Sequence, residues 1–416
     1  MDINSALKKL FALHSLGIKL GLESIKSFLS FLGNPQLKLK TIHIAGSNGK
    51  GSTAAFISSI LIEDGYKVGL YTSPHFIRYN ERILINEKQI DDNVVAEFIS
   101  HYWEYIIKNQ LTFFEVTTAL AFQYFNDMEV DYAVIETGLG GRLDATNVIN
   151  PIGVVITSIS LEHTNILGNN ISSIAFEKAS IIKQKKKVFT AKLAPEAKTV
   201  VASKSKEENC QLFRLEEYIN EKDDVLELYE ENIHLNELNV PLKGLYQRYN
   251  AALAVLVVTK LKICEKKSPL VNGIINVVKN TGIQGRYEYF QKNPALILDS
   301  AHNIAGITEF ISEFNRESKN YKKKIVLFGV MKDKAVDQML SELNKSFDEI
   351  HLIQIDNERA AKIEDLKEIC KKQKITIYAE TNPVKYIEHF LTGDKENCLV
   401  VIGSMYLIGK VKICMQ

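Results

Sequence analysis

Between an apolar segment, Thr41–Ala45, and a helix-like stretch from Thr53 to Asp64 runs Ala45-Gly46-Ser47-Asn48-Gly49-Lys50-Gly51-Ser52-Thr53. Glycines at Gly46, Gly49 and Gly51 let backbone N–H groups wrap an anion. A lysine such as Lys50 reaches β- and γ-phosphates, and a hydroxyl such as Ser52 can ligate Mg²⁺. The N-terminus of the following helix adds its partial positive charge. The spacing departs from GxxxxGK[ST], because Gly51 separates Lys50 from Ser52. The plainer alternative is a glycine-rich turn carrying one exposed lysine. A strand before the turn and a helix after it favour nucleotide phosphate.

Other residues fall where such chemistry would need them. Glu136 ends the apolar run Tyr132–Ile135, at the edge where open α/β sheets bind ligands. A carboxylate there suits Mg²⁺, a hard cation that prefers oxygen; the alternative is a cap on the helix or turn that follows, and Thr-Gly-Leu-Gly-Gly offers no obvious helix. His163 follows a second apolar run, Val154–Ile156, and by itself reads more readily as structural than as a ligand. Lys178 lies in a helical stretch and alone looks like a surface lysine. Asn250 sits on the Ala-rich helix Leu245–Leu261, where its amide could face a base or cap a contact. Arg286 has the bidentate geometry that suits terminal phosphates. Asp299, at a strand end beside His302, suits a ribose or base donor. The last three could instead form an ion-pair cluster between domains.

The elements that must carry these residues alternate strand and helix. Thr41–Ala45, a helix and Lys67–Tyr71 make a βαβ unit, followed by strand candidates Tyr132–Ile135 and Gly153–Thr157. The first forty residues read as helix, with Ile3, Leu7, Leu10 and Leu13 near the helical period. Lys192 to Val240 reads as peripheral strands and loops. After Gly282-Ile283-Gln284-Gly285, read as a hinge, strands are expected at Ala295–Leu298, Ile325–Phe328, Ile350–Ile353, Ile375–Tyr378 and Cys398–Ile402. The expectation is an α/β protein: an N-terminal P-loop ATPase domain with a mostly parallel sheet (1–284) and a smaller C-terminal Rossmann-like α/β domain (285–416).

These blocks together resemble the folylpolyglutamate synthase/dihydrofolate synthase branch of the Mur ligase superfamily. The glycine after Lys50 is that branch's variant of the turn. Further matches are Tyr71-Thr72-Ser73-Pro74-His75 with Glu81-Arg82, Glu136 through Asn147, Glu162-His163-Thr164, Glu177-Lys178-Ala179, Gln247 with Asn250, Gly285-Arg286, Asp299 through Asn303, and Gly403-Ser404-Met405-Tyr406, in family order. The resemblance implies ATP contacts at Asn48, Gly49, Lys50, Gly51, Asn250, Arg286, Asp299 and His302. It implies Mg²⁺ at two sites, with Ser52, Ser73, Glu136 and His163 as ligands, and a monovalent cation as an optional further ion. Lys178 would be carbamylated, which makes electrostatic sense beside Mg²⁺, and would act with Lys50 and His163 in catalysis. Phe114, Glu115, Leu143, Asp144 and Ala145 match pterin-contacting positions. Phe114 would stack on the heterocycle and Asp144 would accept from its amino-pyrimidine donors, with Ile18–Gly21 closing the pocket. Arg82 supplies a cation for a glutamyl carboxylate, and Ser404 is the candidate for the incoming glutamate. Three positions depart from the family pattern: Glu162 replaces Asp, Ser180 replaces Gly, and Tyr246 stands where His is more frequent.

The implied activity is ATP-dependent addition of glutamate to dihydropteroate, to tetrahydrofolate, or to both, through an acyl phosphate and with domain closure at the hinge. Two alternatives differ from it: a peptidoglycan-precursor Mur ligase, and a nucleotide-gated binding protein without ligase chemistry. With 51 Lys+Arg against 50 Asp+Glu in 416 residues, the charge balance argues against a nucleic-acid partner. No run reaches the length of a membrane span, and five dispersed cysteines suit free thiols. A cytoplasmic monomer acting on small molecules is expected.

Overall fold

The structure, a computed structural model, describes residues 1–17, 19, 21–222, 225–228, 233–234 and 239–415. Ile18 and Leu20, expected to close a pocket, lie outside the described residues. Two compact units divide the chain: Met1–Pro241 with Arg248–Gly282, and Leu242–Gln247 with Ile283–Gln416.

The first unit is built on eight strands: β1 (Thr41–Ala45), β2 (Val68–Tyr71), β3 (Ile83–Ile85), β4 (Lys88–Gln89), β5 (Tyr132–Glu136), β6 (Gly153–Ile156), β7 (Lys187–Thr190) and β8 (Gln211–Arg214). Their order is β4-β3-β2-β5-β1-β6-β7-β8. β1 runs parallel to both neighbours, with Ile44 opposite Glu136 on one side and Val155 on the other. Every residue of β1 is buried, as expected where helices cover both faces of a parallel sheet. Only β3 and β4 pair antiparallel, at one edge. Chain order thus reverses at β1, the switch point where ligands bind at the C-terminal ends of strands.

The helix after the phosphate turn spans Lys50–Glu63 and so begins three residues before its expected start at Thr53. Ser52 through Leu61 are all buried, because a second helix, Lys267–Ile275, covers its other side; there the Ser59 hydroxyl donates to the Gly273 carbonyl at 2.6 Å. The first forty residues are two helices rather than one, Ile3–Ala12 and Glu23–Phe31. Gly17, at φ 66°, ends the 3-10 turn after the first. The stretch from Lys192 to Val240, expected to be strands and loops, contains the helix Pro195–Glu207. Its proline takes a first-turn position, where the missing N–H costs nothing. Three short strands follow, β9 (Ile219–Lys222), β10 (Val225–Leu228) and β11 (Ile233–His234), in a separate antiparallel sheet.

In the second unit the strands are β12 (Glu288–Lys292), β13 (Ala295–Asp299), β14 (Lys324–Phe328), β15 (Glu349–Ile353), β16 (Ile377–Glu380) and β17 (Cys398–Ile402). Their order is β12-β13-β17-β14-β15-β16. The five expected strands are all present and parallel, the fourth displaced by two residues from Ile375–Tyr378 to β16. β12, which is polar and half-exposed, adds an antiparallel edge that the apolar pattern did not announce. No described helix is long and apolar enough to cross a membrane.

Candidate active site

The phosphate turn leaves β1 at its C-terminal end and is held by the chain that leaves β6. Thr157 Oγ1 donates to the Asn48 carbonyl at 2.6 Å, and Ser158 Oγ accepts from the Asn48 N–H at 2.8 Å. Ser47 N donates to the Ser158 carbonyl at 2.8 Å. A Cβ on Gly46 would fall 1.9 Å from Thr157 Oγ1, so only glycine fits this close approach. Gly49 sits at φ 83° with the Asn250 amide oxygen against it, a backbone that glycine adopts without strain. The Lys50 ammonium folds back onto the turn, donating to the carbonyls of Gly46 at 2.9 Å and Ser47 at 3.2 Å. Ser52 is buried in the first helical turn. Asn48, Gly49, Lys50, Gly51, Ser52 and Asn250 therefore converge on one loop.

Beneath that loop lies a buried ion pair. Lys178 Nζ sits 2.7 Å from Glu162 Oε1 and 2.8 Å from the Gly46 carbonyl. Lys178 is 1% exposed and Glu162 8%. Lys178 is thus no surface lysine: the helix Ile171–Ala179 aims it inward. Burial raises the Glu162 carboxyl, but the Lys178 and Lys50 cations outweigh that and hold it down to about 2, with His163 adding a smaller push. Burial draws the Lys178 ammonium below its ordinary value, helped by Lys50 and opposed by Glu162. Lys50, Glu162, His163 and Lys178 thus form one electrostatic cluster. His163 takes a left-handed backbone, φ 46°, at the start of the short helix Thr164–Leu167. Sparsely populated backbone of this kind gathers at functional sites.

Glu136 is 4% exposed at the end of β5, and its Oε2 accepts from the Ser73 N–H at 3.1 Å. No helix follows it, so it caps none. The residues that could hold a cation are one carboxylate, the Ser52 and Ser73 hydroxyls and the His163 imidazole. Among the described residues no three His, Cys, Asp or Glu side chains form a metal-holding group. An incomplete oxygen-rich set fits Mg²⁺, which keeps waters and shares substrate phosphates rather than filling an all-protein cage.

The positions matched to a pterin contact gather near the start of the helix Phe113–Asp127. The Phe114 ring packs on Gly138, where a Cβ would come within 2.4 Å of it. Glu115 Oε2 closes a capping box with Thr112, while its Oε1 is buried with no hydrogen-bond partner. An orphaned carboxylate oxygen is what a buried donor from a ligand would satisfy. Asp144, expected to accept from a heterocycle, is engaged within its own loop. Its Oδ2 accepts from the Gly138 and Leu139 N–H groups, and its Oδ1 from the Thr146 N–H and hydroxyl, at 2.5 to 3.0 Å. Four bonds fill the acceptor capacity of a carboxylate, so Asp144 shapes the loop that carries Leu143 and buried Ala145 and offers no vacant oxygen. Burial also raises its carboxyl above the ordinary value, against those hydrogen bonds. Arg82 is buried; its Nε donates to His75 Nδ1 at 2.8 Å and its guanidinium lies 5.1 Å from the Phe113 ring centre. His14 also stacks on Phe113, with ring centres 4.1 Å apart.

In the second unit Arg286, Asp299 and His302 cluster at the end of β13. Asp299 accepts from the N–H groups of Tyr287 at 2.7 Å and Ala301 at 2.8 Å. Burial raises its carboxyl, opposed by those two amides and by the Arg286 charge. His302 Nδ1 lies 2.8 Å from the Ser300 carbonyl. Ser404, expected at the incoming glutamate, stands at the start of the helix Met405–Met415, and its Oγ accepts from the Tyr406 N–H at 3.2 Å as a cap.

Sequence reasoning missed the supports of the site: the Thr157-Ser158-Ile159-Ser160 hydroxyl run that holds the phosphate turn, His75 behind Arg82, and Glu162 as the partner of Lys178. The hydroxyl run directly after an apolar strand was the available signal for the first.

Comparison with known proteins agrees with this arrangement. Residues 44–258 match the Mur ligase middle domain and residues 285–405 the Mur ligase glutamate ligase domain. The chain is 35% identical to the dihydrofolate synthase/folylpolyglutamate synthase of Bacillus subtilis, over 95% of both chains. It is 33% identical to the folylpolyglutamate synthase of Lacticaseibacillus casei, over 93% of this chain and 92% of that one. Among solved structures it resembles E. coli FolC in complex with DHPP and ADP, with a TM-score of 0.88 at 27% identity, covering 100% of this chain and 98% of that one. With relatives this similar along nearly their whole length, the chain belongs to the folylpolyglutamate synthase/dihydrofolate synthase family of Mur ligases.

Proposed function

We propose that the protein is an ADP-forming ligase that joins L-glutamate to a pteroate or folate carboxylate, accepting both dihydropteroate and tetrahydrofolate. The observation that carries this reading is the convergence of Lys50, Glu136 and the Lys178–Glu162 pair around the Gly46–Ser52 turn at the sheet's switch point. The relatives' names supply the acceptor class, and the orphaned Glu115 oxygen beside the Phe114 ring supports a flat heterocycle with a buried donor.

In this mechanism an oxygen of the acceptor carboxylate attacks the γ-phosphorus and ADP leaves. The glutamate amine then attacks the acyl carbon and phosphate departs. Mg²⁺, held by Ser52, Ser73, Glu136 and His163 in two sites, would neutralise charge on the transferred phosphoryl group. Lys50 exchanges its two carbonyl partners for the terminal phosphates, so its resting contacts keep the cation in place at little cost. Lys178 fixes the floor of the turn through Gly46. The resemblance further implies a second state of the same residue, a carbamate formed by attack of its neutral amine on CO₂ with loss of a proton, in which the ammonium and its pair with Glu162 are given up. Arg82, backed by His75, receives a glutamyl carboxylate. Arg286, Asp299 and His302 serve the nucleotide. Ser404 acts at the glutamate through the helix it caps. The protein's contribution is orientation and preorganised charge.

The test supplies ATP, Mg²⁺ and glutamate with either dihydropteroate or tetrahydrofolate, and reads products by mass spectrometry. Single-glutamate addition to both acceptors with matching ADP release is expected. Absence of glutamate transfer to either acceptor would refute the reading.

A further inference from the structure

The loop that carries Arg286 turns left-handed on both sides: Gly285, which adopts this backbone freely, has φ 63°, and Tyr287, a bulky residue for which it is strained, has φ 47°. Left-handed backbone at a tyrosine persists only where its surroundings over-determine it. Two carboxylates do so here. Asp299 accepts the Tyr287 N–H at 2.7 Å, and Glu288 accepts the Gly285 N–H at 2.6 Å. Glu288 is in turn gripped by Lys412, whose ammonium lies 2.7 Å from both of its oxygens and 2.7 Å from Gln284 Oε1. Lys412 is 5% exposed. A lysine is seldom so buried unless fully paired, and three acceptors within hydrogen-bond reach match its three donors. It stands on Met405–Met415, the helix that Ser404 caps.

We propose that Lys412 is a positioning residue for the ligase reaction: through Glu288 and Gln284 it locks the strained 284–288 loop and so sets the direction of the Arg286 guanidinium. The proposal rests on the reading of Arg286 as a residue of the nucleotide phosphates. Lys412 touches no substrate. Its effect passes along one chain of contacts, Lys412 to Glu288 to the Gly285 amide to Arg286. Charge-assisted bonds of this kind are the stronger hydrogen bonds and hold geometry well. A small misplacement of a phosphate-orienting group costs rate rather than affinity for the distant acceptor.

Lys412→Met keeps the buried stem and removes the donors. Steady-state kinetics and calorimetric ADP binding are measured on the wild type, K412M, E288Q, R286A and the double variant R286A/K412M. The expected result is about a tenfold fall in kcat for K412M, with KM for dihydropteroate and the affinity for ADP within about twofold of wild type. In the R286A background, Lys412→Met should add less than about twofold, because the two act through one guanidinium. E288Q keeps an acceptor for the Gly285 N–H but loses the charge that Lys412 grips, and it gives the same pattern should K412M fail to fold. Wild-type kcat in both K412M and E288Q, or a full additional loss in the R286A background, would overturn the proposal while leaving the phosphate role of Arg286 standing. Wild-type turnover of R286A would overturn that role and the proposal with it.

Discussion

In the uncarbamylated protein, where Lys178 is the cation paired with Glu162, replacing it by methionine should destabilise the first unit strongly. The variant keeps most of the side-chain volume and leaves Glu162 without its nearest cation. The two side chains are 2% and 6% exposed and 2.7 Å apart, so water does little to compensate the carboxylate that remains. Breaking one half of such a pair costs about 3–5 kcal/mol. For a unit of this size, at roughly 2 °C per kcal/mol, that corresponds to a fall of about 6–10 °C in Tm. The companion Glu162→Met/Lys178→Met removes both charges at similar volume, and it should regain most of the loss, because buried pairs replaced by apolar groups are often near neutral. Thermal unfolding of wild type, single and double variants, followed by circular dichroism, reads the cycle. Activity should part company with stability: K178M and the double variant are both expected to be nearly inactive, and so is K178R, which cannot form a carbamate and fixes a cation beside the metal donors. A loss below about 1 kcal/mol in K178M, the size of an exposed pair, would refute the reasoning. Full activity of K178R would separately remove the carbamate.

Lys50→Ala should abolish ATP-dependent ligation while leaving the circular dichroism spectrum unchanged, since its partners are two carbonyls at the rim of the turn; turnover near wild type would remove it from the mechanism. Glu136→Gln should raise the Mg²⁺ concentration needed for half-maximal turnover, and His163→Ala should lower kcat more than ATP affinity; Mg²⁺ titrations that overlay the wild type would sink the two-metal reading. His43, fully buried on β1 with Nε2 2.8 Å from Thr146 Oγ1, is pulled down to about 3 by burial and then by the Lys183 charge. The unfolded chain takes up that proton near pH 6.5 and the native state only near pH 3. Stability therefore falls as pH drops through this window, by up to about 1.4 kcal/mol per pH unit. His43→Asn should flatten the stability–pH slope by about one proton, and an unchanged slope between pH 6 and 4 would contradict it.

Much of the catalytic face was legible because its residues sit at strand ends and in one glycine-rich turn, and both features are local. Apolar runs located β1, β5, β6 and all five parallel strands of the second unit; the polar edge strand β12 and the helix Pro195–Glu207 carried no such pattern. Residue type located chemistry but not how far each polar atom was already committed. Asp144 and Ser404 occupy positions that suit ligand contacts, yet the fold uses the oxygens of one to shape a loop and the hydroxyl of the other to cap a helix. Glu115 shows the reverse, a capping residue with one oxygen left over. Lys178 by itself looks like a surface lysine and Lys412 carries no sequence signal, because nothing local distinguishes a lysine that faces solvent from one whose partner lies far off in sequence. Glu162 precedes Lys178 by 16 residues and Glu288 precedes Lys412 by 124. A buried cation needs a compensating anion, and only the fold says whether one arrives. The long-range ion pairs therefore hold the two loops that matter most, and they are the part of the site that the sequence conceals.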